Sequence, residues 1–446
     1  MKRSLLAAAL ALALPAAAAA QARPLSLEQA IATAGENNPA YRKALAEVTG
    51  AEAERRRAAG AFLPTLDLRV STNGDYTRSF TGRDEFGQPV TRDDPIESRS
   101  SYMSQGVSIN GITLFDGGAR LREYRASQAS TDATKLRAGG EALRMRGEVT
   151  RRYWAAVRAS RVIALEEGLL ASARERVEVT ERLMRVAVRT PVDVLGARVQ
   201  VAEQEGALEK ARGDLRRALL DLRQEMGVID DAPLALTDEP PALFDPAALD
   251  PAALAARAVE GHPRLARAHA SERAAQQKVG AARAGRWPTV SASASVGRGQ
   301  YFSGYDGLYE LNPLNQSLGF GIVVSYPLFN QFRTSTQVAQ ARAGLTAAQE
   351  DVRAERLAVE RDVRAAAIDL QVAHAAAAHA VRTLELNRER VALAQEQYRA
   401  GALGFADLQD AAEGAAKAER EALRTRFEFA AAHATLEEKV GAPVRP

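Results

Sequence analysis

The chain has 446 residues, 26% of them charged, yet its formal net charge is only +3. Charges so evenly balanced give no argument for a nucleic-acid partner. Cysteine is absent, which excludes a disulfide framework, a thiolate metal site and a lipidated N-terminal cysteine.

Residues 1–22 read as a secretory signal peptide. Lys2 and Arg3 precede an apolar run, and small residues close it at Ala20-Gln21-Ala22. Beyond them no uninterrupted apolar run of about 18 residues remains, so the mature chain can cross a bilayer only as a β-barrel.

Residues 23–229 form a first structural repeat. A helical segment, about 26–60, is interrupted at Pro39 and stops before Pro64. A strand is predicted at about 64–74, where Leu66, Leu68 and Val70 alternate with Asp67, Arg69 and Ser71. A second strand, about 105–115, ends in "TLFDGG", and a helical hairpin of about 118–228 follows, with its tip at 186–191. Its first arm is close to 70 residues, which at 1.5 Å per residue is roughly 100 Å. Val149, Tyr153, Ala156 and Val157 recur at helical spacing among many alanines, the pattern of coiled-coil packing.

The segment 230–250 is rich in Pro and Asp and reads as a linker. The plan then returns in a second structural repeat, 251–446. Pro263 answers Pro39 and Pro288 answers Pro64 at one separation; "PLFNQF" answers "TLFDGG", and "LGFADLQDA" answers "RTPVDVLGA", at a slightly shorter one. Strands are predicted at about 288–298 and 318–328, and a helical hairpin at about 332–440 with its tip at 400–405. Phe320, Ile322, Val324 and Tyr326 share a strand face opposite Gly319, Gly321, Val323 and Ser325.

A period of two with one apolar and one small or polar face suits a strand between lipid and a wet lumen, although half-buried soluble strands alternate too. The flanks favour the membrane. Phe62, Phe115, Trp287, Tyr326 and Phe329 cluster at the helix-facing strand ends, where an aromatic girdle belongs. Four strands cannot close a barrel, and an open edge in lipid leaves backbone groups unsatisfied, so the chain must oligomerise. Two copies supply eight strands and three supply twelve.

"LSLEQAIATAGENNPAYRKALAE", the strand-ending "LFDGG", "VTRRYWAAV" at 149–157 and the two hairpin turns together resemble the TolC family of outer-membrane efflux proteins, across essentially the whole mature chain. The resemblance implies a mainly α fold with a transmembrane β-barrel. Each chain would carry a duplicated helix-strand-strand-helix-helix repeat with long coiled-coil periplasmic helices. Its four strands would enter a 12-stranded barrel formed by a homotrimer. The function so implied is the exit duct of a tripartite efflux pump or type I secretion system, placed in the cell outer membrane of a Gram-negative bacterium. Its partners would be outer-membrane lipid, a periplasmic adaptor protein and an inner-membrane transporter, either an RND pump or an ABC exporter.

By the same resemblance Asp407 and Asp410 would form the acidic constriction of a periplasmic gate, with Asp193 as the equivalent acid of the first repeat. Residues at i and i+3 do share a helix face, and a threefold axis would gather six carboxylates into a cation-favouring ring. Acids in a first helical turn also complement the helix dipole wherever they occur. Ala187, Val188, Arg189 and Thr190, with Gly401, Ala402, Leu403 and Gly404, would be adaptor-contact tips. Two departures stand out. Leu403 occupies a position where the family commonly has a basic residue, and Ala187 replaces the first tip glycine, so that turn is expected to be built differently, through Pro191.

Enzymes are disfavoured. No nucleophile motif or phosphate-binding glycine loop is present, and His374 and His379 have poor spacing for a shared helical metal site. No cofactor or metal is expected. The competing function is a soluble periplasmic coiled-coil adaptor or scaffold, which would share the leader and the long helices but would not need the strands.

Overall fold

The computed structural model describes residues 23–230 and 232–445; the expected signal peptide lies outside them. In chain order the elements are β1 (Arg23–Leu25), α1 (Leu27–Asn37), α2 (Pro39–Gly60), β2 (Thr65–Arg83), β3 (Pro89–Phe115), α3 (Ala119–Arg185) and α4 (Pro191–Met226). Then come β4 (Leu234–Leu236), α5 (Pro251–Gly261), α6 (Pro263–Ala284), β5 (Thr289–Ser303), β6 (Asn315–Ser325), α7 (Arg333–Arg399) and α8 (Phe405–Val440). From α1 to α4 the helices hold 11, 22, 67 and 36 residues, and from α5 to α8 they hold the same numbers. No helix among the described residues is long and apolar enough to cross a membrane.

The chain divides into two compact units, each drawing on both halves of the sequence. The first comprises residues 23–44, Ala138–His262 and 357–445. One of its cores is built around Val149, Tyr153, Trp154 and Val157 of α3, with Leu222 and Met226 of α4 and Phe427 of α8. A second joins Ala255 and Ala258 of α5 to Val359, Val363 and Leu370 of α7 and to Phe429 and Leu436 of α8. Many of these contacts are alanines, which let helix axes approach closely while the Arg- and Glu-rich faces stay in water.

The linker is more ordered than its composition suggests. β4 lies within it and pairs in parallel with β1, so the described chain has two short strands that hydrophobic alternation alone does not announce. Tyr153, buried in the first core, holds this pair. Its hydroxyl donates to the Leu25 carbonyl at 2.9 Å and accepts from the Asp238 amide at 3.2 Å. A buried tyrosine hydroxyl needs such partners, since leaving it unpaired costs about 1–3 kcal/mol. Where α1 meets α2, the Asn38 side-chain Nδ2 donates to the Glu225 carbonyl at 2.7 Å and its Oδ1 accepts from the Ala40 and Tyr41 amides, capping α2. Gly227, at φ 71°, ends α4 against this corner; a Cβ there would stand 2.4 Å from the Asn37 oxygen.

The second unit comprises Leu45–Arg137 and Pro263–Arg356. Its sheet is antiparallel in the order β2-β3-β5-β6. β2 and β3 hold 19 and 27 residues, well beyond the stretches expected at 64–74 and 105–115. The added length is a mainly polar hairpin, outside the apolar alternation that marks a membrane strand. β5 likewise runs on to Ser303, and β6 stops at Ser325 rather than 328 because Pro327 has no amide to offer a ladder.

The two strand-to-helix junctions share one backbone path. Gly117 and Gly118 have φ of 65° and 82°, and Gln331 and Phe332 take φ of 55° and 63° at the equivalent places. At Gly117 the requirement is double, because a Cβ would also stand 2.9 Å from the Trp287 Cβ. The Asp116 carboxylate accepts from the Gly118 amide at 2.9 Å and from Arg120 Nε at 2.7 Å, which fastens the start of α3 to the end of β3.

Candidate functional site

Two regions of the chain carry the expected functional residues: the helical tips of the first unit and the sheet of the second. At the first tip, α3 ends at Arg185 and α4 begins at Pro191, with Thr190 as N-cap. Asp193 completes a capping box, its carboxylate accepting from the Thr190 amide at 2.9 Å and its amide donating to Thr190 Oγ1 at 3.3 Å. That is the role of a helix-start acid. The first tip turn is not built differently from the second. Ala187 takes φ 56°, as Gly401 takes φ 78°. In both turns the next amide reaches back five residues, Val188 to Leu183 and Ala402 to Gln397, each at 2.9 Å. The alanine accepts a left-handed conformation that glycine adopts freely.

The second tip, residues 400–404, opens α8 with Gly404 as an N-cap lacking a side-chain hydrogen bond. Asp407 and Asp410 lie one turn apart and both are exposed. Asp410 is paired with Arg390 of α7 in an ion pair whose partners are 56% and 70% exposed, so its net worth is about 1 kcal/mol or less. Asp407 borders an open groove of about 470 Å³ beside Leu386, Leu393 and Leu403.

Of the eight tip residues, Ala187, Val188, Thr190, Gly401, Ala402 and Gly404 are exposed, whereas Arg189 and Leu403 are half-buried. Arg189 crosses from one tip to the other. Its Nη2 donates to the Tyr398 carbonyl at 3.0 Å and to the Leu403 carbonyl at 2.6 Å. Its guanidinium carbon stands 4.1 Å from the centroid of the Tyr398 ring. A cation on the last carbonyls of α7 complements that helix's dipole, and the aromatic face adds a cation–π contact. Tyr398 is itself buried, with its hydroxyl 3.1 Å from Thr180 Oγ1. A tip cluster of Ala394, Tyr398, Leu408 and Ala411 packs on Val179, Leu183 and Leu403. Sequence inspection gives no hint of this crossing, because Arg189 lies far from Tyr398 in the chain.

Farther along the same helices, Glu166 of α3 is nearly fully buried and receives Arg420 of α8 through two 2.7 Å hydrogen bonds, with Gln204 of α4 as a second partner. Burial pushes the Glu166 carboxyl up, but the hydrogen bonds and charge of Arg420, with Gln204, hold it below the usual carboxylate range.

The sheet separates two chemistries by parity. In cross-strand register, Leu68, Val107, Val296 and Leu318 form one row; Leu66, Ile109, Ala294 and Phe320 form the next. Ala292 with Ile322 and Val290 with Val324 continue the apolar face toward the helices. From Val290 to Val296 is about 20 Å of strand, close to the roughly 25 Å apolar band of a transmembrane barrel. The row Val70, Gln105, Arg298 and Gln316 ends the band. Leu68, Leu318 and Phe320 are 75%, 80% and 88% exposed, an apolar surface that water does not tolerate over this extent. The opposite face carries Asp67, Arg69, Ser71, Gly106, Ser108, Ser293, Ser295, Gly319 and Gly321. Phe62, Phe115, Trp287, Tyr326 and Phe329 are all exposed around the helix-side end, and Arg120 stacks on Phe62.

The family model described as "Outer membrane efflux protein" matches residues 30–228 and again 254–442. Protein CyaE of Bordetella pertussis is 28% identical over 389 residues, 86% of this chain and 77% of its own length. The alkaline protease secretion protein AprF of Pseudomonas aeruginosa is 27% identical over 190 residues, 43% of this chain and 36% of its own. The solved structure of CusC shares the fold with a TM-score of 0.77 at 18% identity, covering 93% of this chain and 92% of that one. The span and order of these matches, with the membrane band they accompany, lead to one conclusion: the chain belongs to the outer membrane efflux protein family and is seated in the outer membrane.

Proposed function

We propose that three copies of this chain pool their strands into one twelve-stranded barrel, and that their helices form the periplasmic part of an exit duct. Conduction is passive, and the energy comes from an inner-membrane transporter, an RND pump or an ABC exporter, reached through a periplasmic adaptor. One observation carries the reading. A four-stranded sheet with a largely exposed apolar face, a polar opposite face and two unpaired edges is incomplete until it closes in lipid. A soluble scaffold has no use for that face. AprF is named for alkaline protease secretion, and CusC is described as forming a transmembrane channel; both relatives support the reading.

At the tips, Asp407 and Asp410 are assigned to the constriction and the six exposed tip residues to adaptor contact. Asp193 is assigned to helix capping, and Arg189 with Leu403 to holding the two hairpins of a protomer together. The test is single-channel recording in planar bilayers. Replacing Asp407 and Asp410 together by Asn is expected to lower cation selectivity and weaken block by divalent cations. Unchanged selectivity would leave Asp407 as a first-turn acid and Asp410 as the partner of Arg390, with no part in a constriction. A protein that forms no conducting pore at all would remove the duct reading itself.

A further inference from the structure

The polar face of the sheet is almost uniformly small. From Thr65 to Ser79 on β2 it presents Thr, Asp, Arg, Ser, Asn, Asp, Thr and Ser, and β6 presents Ser325, Val323, Gly321, Gly319, Ser317 and Asn315. Among the described residues in this paired register, aromatic side chains occur on that face at Tyr102 of β3 and Tyr301 of β5 alone. They are direct cross-strand partners, with ring centroids 4.4 Å apart and planes inclined by 36°. Tyr301 is 77% exposed. Space is made for its partner, since a Cβ on Gly299 would stand 2.5 Å from the Tyr102 hydroxyl. The pair lies beyond the row where β6 begins, toward the strand ends remote from the helices.

We propose that Tyr102 and Tyr301 form an aromatic contact site for cargo inside the barrel, near its outer mouth, which takes aromatic and apolar side groups. The proposal rests on the barrel reading above, under which this face is the lumen. A wall mainly of Ser, Thr, Gly and Asn, with a few charges such as Asp67 and Arg69, offers an apolar or aromatic group of passing cargo mostly hydrogen-bonding surface that water matches equally well. An open pair of rings offers a face for stacking and for burial of apolar area. Three copies place three pairs around one circumference, so a flexible cargo passes from one to the next without holding tightly to any. A purely structural pair would also strengthen β3–β5 pairing, by about 0.2–1 kcal/mol. It would need neither ring open to the lumen, yet Tyr301 is the more exposed of the two.

The full-length protein in planar bilayers tests the site, with two neutral peptides added on the barrel side. One is a decapeptide of Gly and Ser, and the other is the same peptide carrying two Trp residues. Blocking events by the Trp peptide are expected to last about threefold to tenfold longer than those by the Gly-Ser peptide. In Tyr102→Ser/Tyr301→Ser the difference should vanish, and in Tyr102→Phe/Tyr301→Phe it should persist, because the ring and not the hydroxyl provides the contact. If the double Ser variant does not assemble, Tyr301→Ser alone carries the test, its ring being largely free of the fold. Equal dwell times for the two peptides on the native channel, or a Trp-peptide dwell that survives the Ser substitutions, would overturn the site while leaving the duct intact. Loss of conductance in the native protein would instead overturn the duct.

Discussion

Ala187 is held in a backbone conformation that costs an L-residue about 1–2 kcal/mol, at a turn whose counterpart uses Gly401. Ala187→Gly should therefore raise stability by about 0.5–1 kcal/mol, after allowance for the entropy glycine loses on folding. The check is the thermal midpoint of the detergent-solubilised protein; a lower midpoint would mean that the methyl group is held by packing. Glu166 makes the opposite kind of prediction. Its folded pKa is depressed, so its contribution is present above the ordinary carboxylate value near 4.3 and is lost as pH falls through the lower folded value. Arg420→Ala leaves that buried carboxylate without its counter-charge, held by Gln204 alone, and should cost roughly 2–3 kcal/mol, less than for a fully buried pair because the arginine side is partly exposed. Glu166→Gln should flatten the acid limb of stability against pH. Neither Glu166–Arg420 nor Arg189–Tyr398 was legible in the sequence, since each pair is far apart in the chain and Arg and Glu abound on every helix. Asp193 and Asp407 were legible as first-turn acids, because the local turn signals around them need no tertiary information, whereas the pairing of Asp410 with Arg390 was not.

The strands show where legibility ends at the level of an element. Alternation disclosed the apolar rows because burial in lipid imposes a period of two on residue type. It fell silent where β2 and β3 continue as a hairpin with polar residues on both faces, and at β1 and β4, each only three residues long. The junctions were legible as equivalents, by their matching places in the two repeats, but not in their conformation. "DGG" and "NQF" look unlike, and only the backbone reveals that Gln331 and Phe332 repeat the path of Gly117 and Gly118. Two alanine substitutions separate conformation from space. Gly117→Ala forces a Cβ against Trp287 at a positive φ and should cost about 1–3 kcal/mol, loosening the start of α3. Gly139→Ala, inside α3 with nothing within 4 Å of the new atom, should gain about 0.5–1 kcal/mol from helix propensity. Thermal unfolding of the two variants side by side checks both signs, and destabilisation at Gly139 would point to a close neighbour in the assembled protein.

For the whole molecule, the question is how two unpaired edges, one on β2 and one on β6, are satisfied. Inside hydrocarbon each open backbone group costs several kcal/mol, so the edges must meet, and within one chain four strands are too few to curl back on themselves. Under the proposed barrel, edge meets edge between copies, β6 of one against β2 of the next, and the number of copies is set by the curvature at which the ring closes. The absence of cysteine makes that number measurable on an otherwise thiol-free chain. Cysteines introduced singly along β2 from Asp67 to Asn73, each combined with one along β6 from Asn315 to Val323, sample the possible inter-copy registers. In the register that brings two sulfurs within bonding reach, oxidation should yield covalent ladders on non-reducing gels that end at three. An end at two would mean an eight-stranded barrel with a lumen filled by side chains, and a ladder that runs on would mean an open, unclosed sheet. The rows on the two faces supply the control. Ile322→Arg, at the middle of the apolar band, should cost about 2–4 kcal/mol and remove the ladder with the membrane-inserted form. Ser293→Arg, one row away on the polar face, should keep both, because only the band that meets lipid forbids the charge.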